Sequence, residues 1–418
     1  MKSKRAPALP FSPWRVLLPV GLGTSLSLFG DTSLYTVLPT HTDAAGVALL
    51  SVGVLLSANR WIRLVLNGPT GLLYERWPRR RLFVPALFVG ALSTAIYGYT
   101  SGFWPLLVGR LLWGLAWAGI WVGGNTIVLD ITHAGSRGKW VGIYQVSFFL
   151  GTSGGALAGG ILTDVVGYHV AMAINAAATL LGAVLALVLL PETRGARLAS
   201  EEHISAASAA RASRPNGSFA AAVALQAANR LVIPGIMLAT FGLYLSNSFG
   251  GEIHALGRAL GIATVTGIAL SANGIISMVS SPLVGRVSDW AGSRWRMATG
   301  GLAIGMAGFL LFVFAPPPFT LFGIVLVALA GASNQAMTTA LAGDIATAGR
   351  HSRRLGVLFT FGDLASAIGP PFAFALIPLI GVGGLYLFCA GVFGLLAGVS
   401  AQQAQRVARA APAPAEMG

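Results

Sequence analysis

The chain alternates between long apolar windows and short polar breaks, and the windows are long enough to cross a bilayer, which takes roughly 20 residues. They lie near 15–38, 46–67, 82–100, 103–129, 139–163 and 168–190, then near 231–250, 259–281, 298–315, 319–342, 354–378 and 380–401. Twelve spans with short loops predict an all-α polytopic membrane protein whose two ends lie on one side. The pattern divides into a tail 1–13, a six-helix half 14–190, a linker 191–218, a second six-helix half 219–402 and a tail 403–418.

Composition agrees. A mean hydropathy of +0.74, with 55% hydrophobic and 10% charged residues, leaves too little charge to cover a water-facing surface. A net charge of +14 would suggest nucleic acid in a soluble chain; here its placement matters, and no nucleic-acid partner is expected. Of the 27 Lys and Arg, 23 fall on the side of the termini, while the opposite loops hold Arg258. By the positive-inside rule both termini and the linker are expected in the cytoplasm, with the protein in the cell membrane. The single Cys389 excludes a disulfide framework and a cysteine metal site. Lys2, Lys4 and Arg5 before an apolar run mimic a signal peptide, but the run outlasts an h-region, so an uncleaved first span is expected.

A shift of 214 residues aligns the halves. Leu56-Ser57-Ala58-Asn59 falls on Leu270-Ser271-Ala272-Asn273, Arg80 on Arg294, Asp130-Ile131 on Asp344-Ile345, Gly142 on Gly356 and Gly155 on Gly369. One unbroken offset, holding from 56–155 to 270–369, predicts two parallel six-helix repeats. The loop Gly71-x-x-x-Glu75-Arg76-x-Pro78-Arg79-Arg80 also returns, as Gly285-x-x-x-Asp289 and Arg294.

These features resemble the major facilitator superfamily, over about residues 14–401. The loop after the second span is similar to that family's Gly-x-x-x-Asp-Arg-x-Gly-Arg-Arg, with Glu75 for Asp and Pro78 for Gly. Leu106-x-x-x-Arg110-x-x-x-Gly114 looks like its fourth-helix signature. Gly151-x-x-x-Gly155-Ala156-x-x-Gly159-Gly160 is similar to its fifth-helix pattern, with Ala156 for Pro, while the shifted copy keeps Gly369-Pro370. In the family that pattern accompanies proton-driven export. The resemblance further implies that Glu75 sits near the start of the eleventh span and that Arg79 reaches Asp130, with Asp289 and Asp344 repeating this in the second half. Ordinary positive-inside loop charge is the alternative.

Charges within predicted spans are costly, so each is a functional candidate. They are Asp31, Arg60, Arg63, Arg110 and Asp363, and their 214-shifted partners carry no charge. Asp31 lies about 22 Å into the first span at 1.5 Å per residue, with Thr24, Ser27 and Tyr35 on its face. A buried carboxylate partnered by Arg110 suits a proton carrier; a static pair fixing the first helix to the fourth is the rival. For Arg60 and Arg63 with Asp363, three readings stand: a gate between the halves, an anion-binding site, or local pairing. Trp113, Trp117 and Trp121 recur every four residues, with Asn125 beyond; they could stack a substrate or simply pack. The glycine ladder fits tight packing or a rocking interface. Tyr244, Asn247, Asn273, Asn334, Gln335 and Thr338 add polarity to the second half.

The expected function is secondary transport by alternating access, favouring proton-coupled export of a small amphiphilic compound, with uptake of an organic anion or nutrient as the alternative. A membrane enzyme or receptor is the remote one: all six histidines lie in loops or at helix ends, and neither a zinc-protease nor a nucleotide motif is present. No metal or nucleotide cofactor is expected beyond a proton gradient. The expected partners are a small molecule and the lipid bilayer, and the chain is expected to act as a monomer.

Overall fold

The computed structural model describes residues 12–132, 136–194, 219–255, 258–291, 293–345 and 351–410. The tail to residue 11, the linker from 195, the tail from 411 and the side chains of Asp289 and Asp344 lie outside the described residues.

The first half forms α1 (Pro13–Val37), α2 (Leu49–Arg76), α3 (Arg79–Tyr99), α4 (Phe103–Asp130), α5 (Arg137–Val166) and α6 (Tyr168–Leu189), with a single turn Thr42–Ala45 between α1 and α2. Pro13 presets the backbone angle of the first turn of α1. The second half forms α7 (Phe219–Phe249), α8 (Ile262–Ala291), α9 (Arg294–Phe314) and α10 (Pro317–Ile345). The last stretch, His351–Ala410, is broken at Gly381, whose φ of 67° suits a residue without Cβ. We label residues 351–380 α11 and 382–410 α12. Among the described residues ten helical stretches are long and apolar enough to cross a bilayer by length and composition. Dividing the last at Gly381 and adding the 25-residue α1 gives the twelve helices expected. Val65, Val188 and Leu395 stand more than two-thirds exposed, which is costly in water and natural against acyl chains.

Three boundaries differ from expectation. α7 begins at Phe219, twelve residues before the apolar window opens, because Ala-rich 219–229 is a good helix former even where Gln226, Asn229 and Arg230 depress its hydropathy. Arg230 is therefore a helix residue rather than a loop charge. α12 continues to Ala410. Between α7 and α8 an antiparallel hairpin pairs β1 (Glu252–Ala255) with β2 (Arg258–Gly261), in the register Glu252 to Gly261.

The described residues form two compact units, one of residues 12–194 with 251–271, the other of 219–250 with 272–410. In the first, α1 packs chiefly against α5 and α6, α3 against α4 and α6, and α2 against α4. Its core joins Val16, Leu17 and Val20 to Phe83, Leu87, Trp113, Ile120 and Ala183. In the second, α9 packs against α10 and the 351–410 stretch, and α7 against that stretch and α10.

Candidate functional site

In the first unit α1, α2 and α4 bring Asp31, Tyr35, Arg60 and Arg110 together. Arg110 is fully buried, and its Nη1 donates to Asp31 Oδ1 at 2.5 Å, the Asp31 side chain being 14% exposed. Its Nε donates to the Leu55 carbonyl at 3.0 Å and its Nη2 to that of Leu56 at 3.3 Å. The Tyr35 hydroxyl donates to the same Leu56 carbonyl at 2.5 Å. The guanidinium carbons of Arg60 and Arg110 lie 5.2 and 5.3 Å from the Tyr35 ring centroid, within range of attraction to the ring face. The buried cation thus has one carboxylate, two carbonyls and a ring, so loss of the carboxylate's charge would not strip it of every partner.

The remaining polar residues of the α1 stripe turn to helix packing. The Thr24 hydroxyl lies 3.2 Å from that of Tyr144, and Ser27 bonds back to the Thr24 carbonyl at 2.8 Å. Ser33 donates to the Gly155 carbonyl at 2.8 Å. The glycine ladder is the line on which α5 meets α1: a Cβ at Gly151, Gly155 or Gly159 would collide with backbone at Ser25, Phe29 and Ser33 respectively. At Gly160 it would collide with Ala263 in the first turn of α8. Trp113, Trp117 and Trp121 stack in sequence with centroids 5.7 and 5.5 Å apart. Trp113 and Trp117 are buried in the unit's core, while Trp121 is half-buried and packs on Phe148 at 5.2 Å. Asn125 is likewise half-buried, its amide donating to the Trp121 carbonyl.

At the α2–α3 loop, Arg79 Nε donates to Asp130 Oδ2 at 2.9 Å, both side chains being 2% exposed. Nη1 of Arg79 also donates to the carbonyls of Tyr74 and Trp77. Glu75 and Arg76 are exposed and Gly71 and Arg80 half-buried. In the second unit Gly285 lies on α8, and α9 begins at Arg294 after Ser293, whose hydroxyl accepts the Arg296 N–H at 3.4 Å. Arg60 is buried and Arg63 half-buried in the first unit. Asp363 is half-buried on α11 in the second, its carbonyl accepting the Ser366 hydroxyl at 2.9 Å.

With this geometry in hand, comparison with known proteins decides the family. The family model described as Major Facilitator Superfamily matches residues 20–250 and again 232–416. The chain belongs to the Major Facilitator Superfamily. It is a multi-pass membrane transporter of that superfamily. Among its relatives, an MFS-type transporter of Methanocaldococcus jannaschii is 20% identical over 91% of this chain and 95% of its own length. The class C tetracycline resistance protein of Escherichia coli is 24% identical over 84% of this chain and 86% of its own. A probable 4-methylmuconolactone transporter of Cupriavidus pinatubonensis is 29% identical, but over 31% of this chain and only 30% of that relative's length. A bacterial homolog of the human lysosomal transporter Spinster, solved inward-facing and occupied, has the same fold (TM-score 0.73, 16% identity, 97% of this chain and 100% of that one).

Two residues of this superfamily member escaped sequence reasoning because they act on main-chain groups. Glu192 accepts the backbone N–H groups of Arg79 at 2.9 Å and Arg80 at 3.1 Å, placing a carboxylate on the positive end of α3. Asp164, at the end of α5, accepts the Thr264 N–H at 2.6 Å and so caps α8. Among the described residues, no three His, Cys, Asp or Glu side chains converge as metal ligands would.

Proposed function

We propose that this transporter exports a small amphiphilic compound in exchange for protons across the cell membrane, both termini being cytoplasmic, and that Asp31 is the proton carrier. The observation that carries the reading is the buried Asp31–Arg110 pair. A neutral Asp31 no longer attracts the guanidinium, while the Leu55 and Leu56 carbonyls still hold it, so a proton can loosen α1 from α4 without leaving a bare buried cation. The tetracycline resistance proteins among the relatives support export, since resistance is what removal of a toxic compound produces. The test is gradient-driven transport of a compound panel by cells lacking their own exporters, with and without an uncoupler. Asp31→Asn is expected to lower the uncoupler-sensitive component at least tenfold; an undiminished component refutes the role of Asp31.

A second reading, uptake of an organic anion, is favoured by the two guanidiniums converging on Tyr35. Benzoate accumulation that collapses in Arg60→Gln would select it over export.

A further inference from the structure

α12 does not stop where its apolar window closes at residue 401 but continues as helix to Ala410. One side of this extension is packed: Ala404 joins Trp295 of α9, Leu341 of α10 and Ala222 of α7 in a small core, and the Ser400 hydroxyl donates to the Trp295 carbonyl at 3.0 Å. The docking lays the end of α12 along the start of α9, and a cavity of about 470 Å³ lies where they meet. Arg296 and Thr299 line it from α9, and Gln405 and Arg409 from α12, with the small side chains of Ala401 and Ala408 making room. Among the described residues, none that lines it is acidic.

Two guanidiniums on one cleft repel each other, and packing does not require them, since Arg296, Gln405 and Arg409 are all exposed. The apolar window of α9 opens at residue 298 and that of α12 closes at 401, so the cleft sits where hydrocarbon gives way to lipid headgroups. α9 packs chiefly against α10 and the 351–410 stretch. Ala303 and Ala307, seven and eleven residues beyond Arg296 and therefore on its face, are exposed. On α12 Leu395 is 72% exposed, and Arg409 fourteen residues on falls within about 40° of it at 3.6 residues per turn. On both helices, then, a face open to acyl chains runs into a guanidinium at the membrane boundary. A free anion would use the guanidiniums alone; a molecule with a phosphate head and apolar tails uses both features, the phosphate matching the planar fork of arginine.

We propose that this cleft holds the headgroup of an anionic phospholipid, with Arg296 and Arg409 on its phosphate, Thr299 and Gln405 on its ester or hydroxyl oxygens, and its acyl chains along α9 and α12. The site depends neither on the direction of transport nor on proton coupling by Asp31, so it stands or falls apart from them. The test is native mass spectrometry of the full chain in detergent, titrated with phosphatidylglycerol or with phosphatidylcholine. The parent is expected to retain one phosphatidylglycerol about tenfold or more tightly than phosphatidylcholine, the scale on which two arginines at a membrane surface act. Arg296→Gln/Arg409→Gln should weaken phosphatidylglycerol by about the same factor. Arg81→Gln/Arg406→Gln removes equal charge from exposed arginines outside the cleft and should leave most of the binding. Ala408→Trp keeps every charge but fills the cleft, and should weaken phosphatidylglycerol as the first pair does. The substituted residues are exposed, so all three variants are expected to melt with the parent in detergent alone. Equal retention of the two lipids, parent-like binding by either cleft variant, or an equal loss in the control pair would each overturn the proposal. Displacement of the lipid by glycerol 3-phosphate would overturn it too, by marking the site as one for a soluble phosphate.

Discussion

Asp130→Asn tests how far the α2–α3 loop depends on one buried charge pair. Arg79 and Asp130 are each 2% exposed at 2.9 Å, so the substitution leaves a guanidinium almost wholly out of water with a neutral acceptor in place of a charged one. Breaking a buried pair from one side costs ~3–5 kcal/mol. The carbonyls of Tyr74 and Trp77 remain as acceptors, and an asparagine oxygen can replace part of the lost bond, returning about 1 kcal/mol. The net loss of roughly 2–4 kcal/mol, at about 2–4 °C per kcal/mol for a body of this size, predicts a melting temperature on the order of 10 °C lower. Arg79→Met/Asp130→Leu removes both charges and should recover most of that fall, because no lone ion is left behind. The assay is thermal unfolding of the purified protein in detergent, with both variants beside the parent. If Asp130→Asn melts with the parent, or the double variant melts below the single one, the loop is held by something other than this pair.

The remaining predictions are structural. Gly155→Leu would set a side chain 2.7 Å from the Phe29 Cα, against backbone that cannot yield, at a cost of about 1–3 kcal/mol or more; size-exclusion chromatography should show loss of the monodisperse protein. Asp164→Ala removes the acceptor of the Thr264 N–H and should cost ~0.5–2 kcal/mol in thermal unfolding, while Asp164→Asn retains most of it. Asp31→Leu/Arg110→Ile installs the residues found 214 positions on; it should melt no lower than the parent and show no uncoupler-sensitive transport.

What was legible in the sequence follows from what a residue touches. Asp31 and Arg110 announce themselves because a charge in an apolar run needs a partner, whereas the pairing of Arg79 with Asp130 is implied only by the family resemblance of the loop. The glycine ladder reads from its spacing of four, and the structure sets those glycines on α1. The start of α7 did not read, since hydropathy averages Ala with Gln, Asn and Arg and misses a helix whose polar residues face other helices. Glu192 and Asp164 gave no signal either: their partners are backbone N–H groups, which every residue but proline carries, so no pairing of residue types marks them. The tryptophan series read as a face but not as an environment. Nothing in its spacing tells that Trp113 and Trp117 enter the core while Trp121 stays at its margin.

The repeat argues against the buried pair as a device for stability. At the positions 214 residues beyond Asp31 and Arg110 the second half has Leu245 and Ile324, themselves 1% and 3% exposed in their own unit. The same architecture therefore accepts hydrocarbon where the first half holds ions. Hydrocarbon of similar volume is commonly as stable as a buried pair or more so. The second half is not free of helix-embedded charge, for Arg230 lies in α7 where the shifted position is Val16. That position, too, is matched by no charge in the other half. In both halves, then, the helix-embedded charges stand at positions where the repeat breaks.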